Sequence, residues 1–215
     1  MTFRRSTLNR LLTHPLALSV KRPLKDALWT ARGRALANPQ IPARVTSILF
    51  VCKGNICRSP FAALLAAQRL AERGVGGVHC SSAGISVTQA ARAPQEACEA
   101  AALFGLSLLA HVPLQVTGDL LLSHDLTIVM EAGQMQELRR RYPEAASRIV
   151  LLPLIDRDQA GYVRFNIADP FGQPLPAFHD CYRRIDRLVT RLLDRVAGHP
   201  NLPAKRTAAS SGAPL

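Results

Sequence analysis

A turn of small and polar residues limits how this chain can fold, because it lies between a buried strand and a helix. The apolar run at residues 47–51 is short and rich in Ile, Leu, Phe and Val, which is typical of a strand covered on both faces. Residues 60–73 are rich in Ala and Leu and begin with a proline, which is favoured in the first turn of a helix. The turn between them, residues 52–59, holds two cysteines, an arginine and a serine. A strand that enters a helix through so short a turn indicates an α/β unit.

The same alternation of apolar runs and helical segments continues to residue 197. We predict strands at residues 47–51, 77–83, 126–130 and 149–152, and helices at residues 60–73, 94–104, 132–142 and 175–197. Strands that alternate with helices form parallel sheets with both faces covered. The expected fold class is therefore α/β, a four-stranded parallel sheet flanked by helices on both faces, of the flavodoxin-like doubly wound type. Such sheets bind ligands beyond the carboxyl ends of their strands, which places the expected site at the turn after Val51.

The positive charge of the chain lies mainly in its flanks. The formal net charge is +12, and residues 1–45 alone hold nine basic residues against one acidic residue, Asp26. We predict a basic, flexible N-terminal extension at residues 1–45, one folded domain at residues 46–197 and a disordered tail at residues 198–215. Because the domain itself is nearly neutral, no nucleic acid is expected as a partner. The extension is a candidate for contact with an anionic membrane.

Cysteine usage and the lengths of the apolar runs indicate the compartment. The chain has five cysteines, an odd number, and two of them share the turn at residues 52–59, so they do not form a disulfide framework. We therefore expect a reduced, cytoplasmic environment. No apolar run is long enough to suggest a membrane-spanning helix.

The turn at residues 52–59 has the chemistry of an anion site. Successive backbone N–H groups in such a loop converge on one point, and the N-terminus of the following helix adds positive potential there. Arg58 can donate two parallel hydrogen bonds to a tetrahedral dianion such as phosphate. The same amides and guanidinium favour the thiolate form of Cys52, which then lies beneath the bound phosphorus as a nucleophile. A structural cysteine at a strand end is the plainer alternative, but it leaves the shared Arg and Ser unexplained.

These residues resemble the signature loop of the low-molecular-weight protein tyrosine phosphatases. The resemblance is carried by Val51 to Pro60, and continues through Ser82-Ala83-Gly84, Asp125 to Met130 and Asp169-Pro170-Phe171. It covers residues 46–197 in the order and spacing of the family. The stretch Asp-Pro-Phe-Gly further resembles bacterial members associated with exopolysaccharide and capsule production.

The resemblance implies three catalytic residues and a cysteinyl-phosphate intermediate. Cys52 attacks the phosphorus, Arg58 holds the phosphoryl oxygens, and Asp169 protonates the departing phenolate and then deprotonates the hydrolytic water. One carboxyl group can serve both steps because the second reverses the proton demand of the first. Pro170 is expected to restrict the backbone of Asp169 to an extended conformation.

The remaining loop residues are assigned to substrate binding or to support of the loop. The expected substrate-binding residues are Lys53, Gly54, Asn55, Ile56, Cys57, Ser59 and Phe171. Asn55 is expected in a left-handed conformation, which Asn tolerates better than most residues. The family braces this Asn with a hydrogen-bond network, and Ser59, Ser82 and His111 occupy the matching positions. For His111 a second interpretation, a structural histidine bonded to local backbone, stays open.

The expected substrate is a tyrosine-phosphorylated protein, with a bacterial tyrosine autokinase as the partner that the resemblance implies. Ile56 favours phosphotyrosine, because a small polar residue at this position resembles the protein-arginine phosphatases of the family. No metal or other cofactor is expected, since Arg58 and the loop amides supply the positive charge. Two other functions with the same loop are weighed: a phosphotyrosine-binding adaptor and a thioredoxin-coupled arsenate reductase. The second needs two further cysteines about seven positions apart, whereas Cys80 and Cys98 are 18 apart. A basic protein acting on nucleic acid or membrane through residues 1–45 is a third class.

Overall fold

A computed structural model of the chain describes residues 36–88, 91–156 and 161–197. Its centre is a four-stranded parallel sheet with the strand order β2-β1-β3-β4. The strands are β1 (Ser47–Cys52), β2 (His79–Gly84), β3 (Leu126–Val129) and β4 (Ile149–Leu151). Because all four strands run in the same direction, their carboxyl ends meet along one edge of the sheet.

Four helices lie in the connections between the strands, and two follow β4. They are α1 (Arg58–Glu72), α2 (Gln95–Ala102), α3 (Gly118–Leu122), α4 (Ala132–Arg141), α5 (Gly161–Phe165) and α6 (Leu175–Ala197). Two 3₁₀ helices, Pro143–Arg148 and Leu152–Ile155, flank β4. No helix among the described ranges is both long enough and apolar enough to cross a bilayer.

Both faces of the sheet are buried, as its central strand shows. Ile48, Phe50 and Cys52 belong to one apolar cluster, which contains α1, α2 and α6 residues. Leu49 and Val51 belong to a second cluster on the opposite face, which contains residues of α3, α4 and α5. The predicted fold class is therefore confirmed, since a strand whose alternate residues enter two cores must be covered on both sides.

The predicted long elements are present, with ends that shift by a few residues, and α6 has the predicted bounds. The short helices α3 and α5 and both 3₁₀ helices were not predicted. Helix α3 has only five residues, so it shows no helical periodicity, and its start is fixed by the hydroxyl of Thr117, which accepts from the backbone N–H of Leu120. Elements of this length depend on local capping rather than on an apolar stripe.

Part of the predicted N-terminal extension contacts the domain. The side chain of Asn38 bonds the backbone of Leu151 in both directions, donating to its carbonyl at 3.0 Å and accepting from its N–H at 2.7 Å. Leu36 and Ile41 pack against the two apolar clusters. Residues 36–41 therefore pack on the domain, and Asn38 bonds the outer edge of β4. The predictions for residues 1–35, including membrane contact, and for the tail at residues 198–215 lie outside the described residues.

Candidate active site

The loop at residues 52–59, called the cysteine loop below, connects the carboxyl end of β1 to the start of α1. Its fourth residue, Asn55, has a φ of 55° and is the one non-glycine residue with positive φ in the described part of the chain. This left-handed residue lets the backbone curl around the sulfur of Cys52. Gly84, at the end of β2, allows the curl, because a Cβ there would meet the carbonyl oxygen of Lys53 at 2.9 Å and the Cβ of Asn55 at 3.0 Å.

The strained backbone of Asn55 is held by a buried network. The amide nitrogen of its side chain donates to the hydroxyls of Ser59 and Ser82, both at 2.9 Å. Its side-chain oxygen accepts from the backbone N–H of Leu114 at 2.8 Å. The Nε2 atom of His111 lies 2.8 Å from the carbonyl oxygen of Asn55, so His111 joins this network. Every polar atom of the Asn55 side chain is therefore engaged.

The sulfur of Cys52 lies at the floor of the loop and is 3% exposed as a residue. The backbone N–H of Asn55 donates to this sulfur over 3.3 Å, and the hydroxyl oxygen of Ser59 lies 3.0 Å from it. An amide donor and a hydroxyl that can turn its hydrogen toward sulfur both stabilise negative charge on Cys52.

The guanidinium of Arg58 is almost fully buried, with 1% of its side chain exposed. One terminal nitrogen, Nη1, donates to the carboxylate of Glu131 and to the carbonyl of Ile167, and Nη2 lies 2.6 Å from the carboxylate of Asp169. Burial by itself lowers the pKa of Arg58, but the negative charge of Cys52, Asp169 and Glu131 outweighs burial and raises it. The group therefore stays a cation beside Cys52.

One nitrogen of Arg58 makes no hydrogen bond to the described residues. Its buried Nε has no hydrogen-bond partner among the described residues. A buried N–H without an acceptor is costly, so its presence next to Cys52 indicates a place where an anionic ligand can accept.

Asp169 reaches the site from a distant part of the sequence. It lies in a segment at residues 166–173, called the aspartate loop below, between α5 and α6. Its Oδ1 accepts from the backbone N–H of Phe171 at 3.2 Å, a local turn that orients the carboxyl group. The side chain is 39% exposed, which leaves it open to solvent and substrate.

A cavity of about 360 Å³ opens above Cys52. Eight of the predicted site residues line it: Cys52, Lys53, Gly54, Ile56, Cys57, Arg58, Asp169 and Phe171. Asn55, Ser59, Ser82, His111 and Pro170 do not line it; Asn55, Ser59 and Pro170 are buried, whereas Ser82 and His111 are half-buried. Ser86, Thr88 and Ala91 complete the wall and were not predicted.

Glu131 is a charged residue of the site that was not predicted from the sequence. It directly follows Met130 at the carboxyl edge of the sheet, where it precedes α4 and accepts from Gln134 at 3.1 Å as well as from Arg58. Its place after a buried parallel strand is a signal that could have identified it. Glu131 acts through Arg58, because it accepts from Nη1 and holds that edge of the guanidinium.

Cys57 lies at the rear of the same loop and differs from Cys52. Burial is the main cause that raises its pKa, so it remains a neutral thiol. Its backbone carbonyl accepts from the hydroxyl of Tyr182 on α6 at 3.2 Å. The ring of Tyr182 in turn stacks on Phe61 of α1 with centroids 3.8 Å apart. The cysteine loop is therefore fixed to the core from behind.

Comparison with known sequences gives one family. Residues 47–201 match the family described as low molecular weight phosphotyrosine protein phosphatase. The chain is 35% identical over 152 residues to the probable low molecular weight protein-tyrosine-phosphatase EpsP of Ralstonia nicotianae, which covers 71% of this chain and 97% of that relative.

Two solved structures with the same fold differ in the substrate that their descriptions state. The tyrosine phosphatase Wzb from Escherichia coli K30, in complex with sulphate, is 29% identical with a TM-score of 0.62 and covers 71% of this chain and 99% of its own. The YwlE arginine phosphatase from Geobacillus stearothermophilus is 28% identical with a TM-score of 0.63, and the match covers 71% of this chain and 94% of that one.

Proposed function

Because the chain belongs to the low molecular weight phosphotyrosine protein phosphatase family, we propose that it hydrolyses phosphotyrosine in proteins through a phosphoryl group carried on Cys52. The enzyme class is that of the family, a hydrolase of phosphoric monoesters. The observation that carries the site assignment is the meeting of three groups at one cavity: the sulfur of Cys52, the buried cation of Arg58 and the carboxyl group of Asp169.

In the first step the thiolate of Cys52 attacks phosphorus and a P–S bond forms. The bond from phosphorus to the phenolic oxygen breaks, and its electron pair goes to that oxygen. Asp169, as a carboxylic acid, gives its proton to the departing oxygen, so tyrosine leaves neutral. The N–H of Asn55 and the hydroxyl of Ser59 hold the sulfur in place for the attack.

In the second step water replaces sulfur on phosphorus. The carboxylate of Asp169 takes a proton from the water, the water oxygen bonds phosphorus, and the P–S bond breaks. The electron pair of that bond returns to Cys52 as thiolate and inorganic phosphate is released. Asp169 recovers the proton that it lost in the first step, so the cycle closes without a further acid or base.

Arg58 stabilises the charge on the phosphoryl oxygens in both steps. Its Nε is the donor without an acceptor, and its Nη2 pairs with Asp169 in the structure. A bound phosphoryl group takes both donors in a bidentate contact and frees the carboxyl group of Asp169 for proton transfer. Glu131 continues to accept from Nη1 and so holds the orientation of the guanidinium plane.

The cavity walls favour an aromatic leaving group. Ile56 and Phe171 present apolar surface on the cavity, and its volume of about 360 Å³ is sufficient for a small ligand such as a phosphorylated ring. The family also contains arginine phosphatases, as the Geobacillus structure illustrates. Ile56 argues for tyrosine here, because a charged guanidinium loses hydration against an apolar wall without a compensating partner.

A peptide panel tests the substrate class. Phosphotyrosine, phosphoarginine and phosphoserine peptides of the same flanking sequence are hydrolysed at equal concentration, and phosphate release is measured. We expect the phosphotyrosine peptide to react at least about 10-fold faster than the others, a difference typical of a pocket matched to one side chain. Ile56→Thr should reduce this preference, and Cys98→Ser, a cysteine outside the cavity, is the matched control. Faster release from phosphoarginine would refute the tyrosine assignment.

We propose further that the enzyme acts in the cytoplasm on a tyrosine-phosphorylated protein, with a tyrosine autokinase of exopolysaccharide assembly as the partner. The support is the Asp-Pro-Phe-Gly stretch at residues 169–172 and the likeness to EpsP. Co-expression of the phosphatase with candidate autokinases, followed by blotting for phosphotyrosine, tests this pairing. An unchanged blot with wild type relative to Cys52→Ser would refute it.

A further inference from the structure

Three consecutive backbone carbonyls lead up to Asp169, and each accepts a hydrogen bond from a different side chain. Arg184 donates to the carbonyl of Asn166 at 2.7 Å, and Arg58 donates to that of Ile167 at 2.9 Å. The thiol of Cys181 lies 3.7 Å from the carbonyl of Ala168 and donates to it. The path of the chain immediately before Asp169 is therefore set by side chains from two other elements.

Two of these donors come from one face of α6. Cys181 and Arg184 are three positions apart, so they lie one above the other on the helix. Arg184 also donates to the carbonyl of Val163 in α5, so its guanidinium connects α5, the aspartate loop and α6. Burial raises the pKa of Cys181 to about 12, which keeps its proton on sulfur for donation to Ala168.

The opposite side of the aspartate loop is fixed to the end of β3. The N–H of Ile167 donates to the carbonyl of Met130 at 2.8 Å, and the side-chain oxygen of Asn166 accepts from the N–H of Ala132 at 3.3 Å. The loop thus lies between the carboxyl edge of the sheet and α6. Its contacts to α6 are made by Cys181 and Arg184.

The carboxyl group of Asp169 itself has few contacts that could position it independently. Its side chain is 39% exposed, and it contacts the guanidinium of Arg58 and the N–H of Phe171 in its own loop. Its distance from the leaving group in the cavity therefore depends on where the backbone of residues 166–168 is held.

We propose that Arg184, assisted by Cys181, is a positioning residue that holds Asp169 at the distance required for proton transfer to the leaving group. This inference rests on the proposed function and adds a part of α6 to its machinery. Arg184 does not touch the cavity, since it is absent from the cavity lining. Its effect on the reaction passes through the carbonyls of Val163 and Asn166.

The proposal makes a prediction that a merely structural role does not. A misplaced proton donor slows only those reactions in which the leaving group needs a proton. Phenyl phosphate releases a strongly basic phenolate, whereas dinitrophenyl phosphate releases a weakly basic one. The ratio of kcat/KM for these two substrates is independent of the folded fraction of a variant, because both values are measured on the same preparation.

The test compares Arg184→Met with Arg183→Met. Arg183 is the adjacent, exposed arginine, paired with Asp180 at 3.1 Å, and serves as the matched control. We expect Arg184→Met to lower kcat/KM for phenyl phosphate about 10-fold and for dinitrophenyl phosphate less than about 2-fold, because proton transfer depends steeply on donor position. Arg184→Lys keeps the charge and one donor and should restore part of the ratio. Arg183→Met should leave both values unchanged.

A double variant tests whether Arg184 acts through Asp169. In an Asp169→Asn background the donor is gone, so adding Arg184→Met should leave the ratio of the two substrates unchanged. Equal slowing of both substrates by Arg184→Met would overturn the inference. So would a change in the substrate ratio that is the same in the wild-type and Asp169→Asn backgrounds. These outcomes are measured on an active wild-type enzyme. Failure of the proposed function is a different result, in which the wild-type chain hydrolyses neither substrate and both proposals fall.

Discussion

The cysteine loop and the aspartate loop contribute to the same cavity but are held in different ways. The cysteine loop spans eight consecutive residues, of which Cys52, Asn55 and residues 57–59 are buried, and it is held mainly by the side-chain network of Asn55. The aspartate loop presents an exposed carboxyl group and is held by contacts to its backbone carbonyls, whose donors come from α1 and α6. The first loop is therefore held mainly through one side chain, and the second mainly through its backbone.

In the proposed mechanism, this difference separates binding from proton transfer. The groups that hold phosphate must be rigid before the substrate arrives, since reorganisation at that moment raises the barrier. The proton donor must pair with Arg58 at one stage and with the leaving group at another. An exposed carboxyl group on a loop held through its backbone permits that exchange. Substitutions in the two loops should therefore have different signatures.

The largest effect is expected for Arg58→Lys in the cysteine loop. A lysine keeps the positive charge but lacks the planar pair of donors and cannot reach Glu131, Asp169 and phosphate together. We expect kcat/KM to fall by about 10³-fold or more for every aryl phosphate, whatever its leaving group. Steady-state hydrolysis of both phenyl and dinitrophenyl phosphate measures this. A loss confined to the poorer leaving group would contradict the separation of the two loops.

Asp169→Asn should produce the opposite signature, a loss that depends on the leaving group. Removal of a general acid costs about 10²-fold to 10³-fold for phenyl phosphate, and much less for dinitrophenyl phosphate, whose leaving group needs no proton. The same two substrates measure it. Asp180→Asn, an exposed carboxylate on α6, is the matched control. A uniform loss across both substrates would place Asp169 in binding rather than in proton transfer.

Two substitutions of Asn55 separate the effect of its backbone conformation from the effect of its side-chain contacts. Asn55→Ala loses the four side-chain contacts and also strains a φ of 55°, whereas Asn55→Gly loses the contacts without strain. We expect both to lower kcat/KM by about 10-fold to 100-fold, and only the Ala variant to lose additional stability. Urea unfolding and steady-state rates report the two parts. Full activity of Asn55→Gly would show that the network is dispensable.

The smallest effect concerns acid stability and His111. Burial lowers the pKa of His111, and its bond to the carbonyl of Asn55 only partly opposes this. Its contribution to the free energy of unfolding is therefore complete above the ordinary histidine pKa of about 6.5 and is lost as pH falls toward the lowered value. The free energy of unfolding, measured from about pH 8 down to pH 5, should decline less steeply for His111→Gln than for wild type. An identical decline in both would contradict this, and His179→Gln is the control.

The sequence predicted the cysteine loop better than the aspartate loop, and locality explains why. Cys52, Asn55 and Arg58 lie within one turn between a strand and a helix, so their spacing alone places them together. The place of Asp169 came from resemblance to a family, because no local rule joins it to Arg58, which lies 111 positions earlier in the chain.

The residues that the sequence did not reveal act through tertiary contacts. Glu131 follows a buried strand, which marks the edge where a site residue can lie, but only packing shows that it holds Arg58. Arg184 lies at an ordinary position within α6, and only packing shows that it holds the carbonyl of Asn166. The short helices α3 and α5 lacked a sequence signal for the same reason, since elements of five residues are defined by caps and neighbours rather than by periodicity.

The central claim is that Cys52 carries the phosphoryl group between the two steps. A radiolabelled phosphotyrosine peptide is mixed with excess enzyme, the reaction is quenched in alkali, where a P–S bond survives, and the labelled site is mapped by proteolysis. The account predicts transient label on the peptide that contains Cys52, and no label and no hydrolysis in Cys52→Ala. Label on any other residue, or hydrolysis that persists in Cys52→Ala, would contradict it.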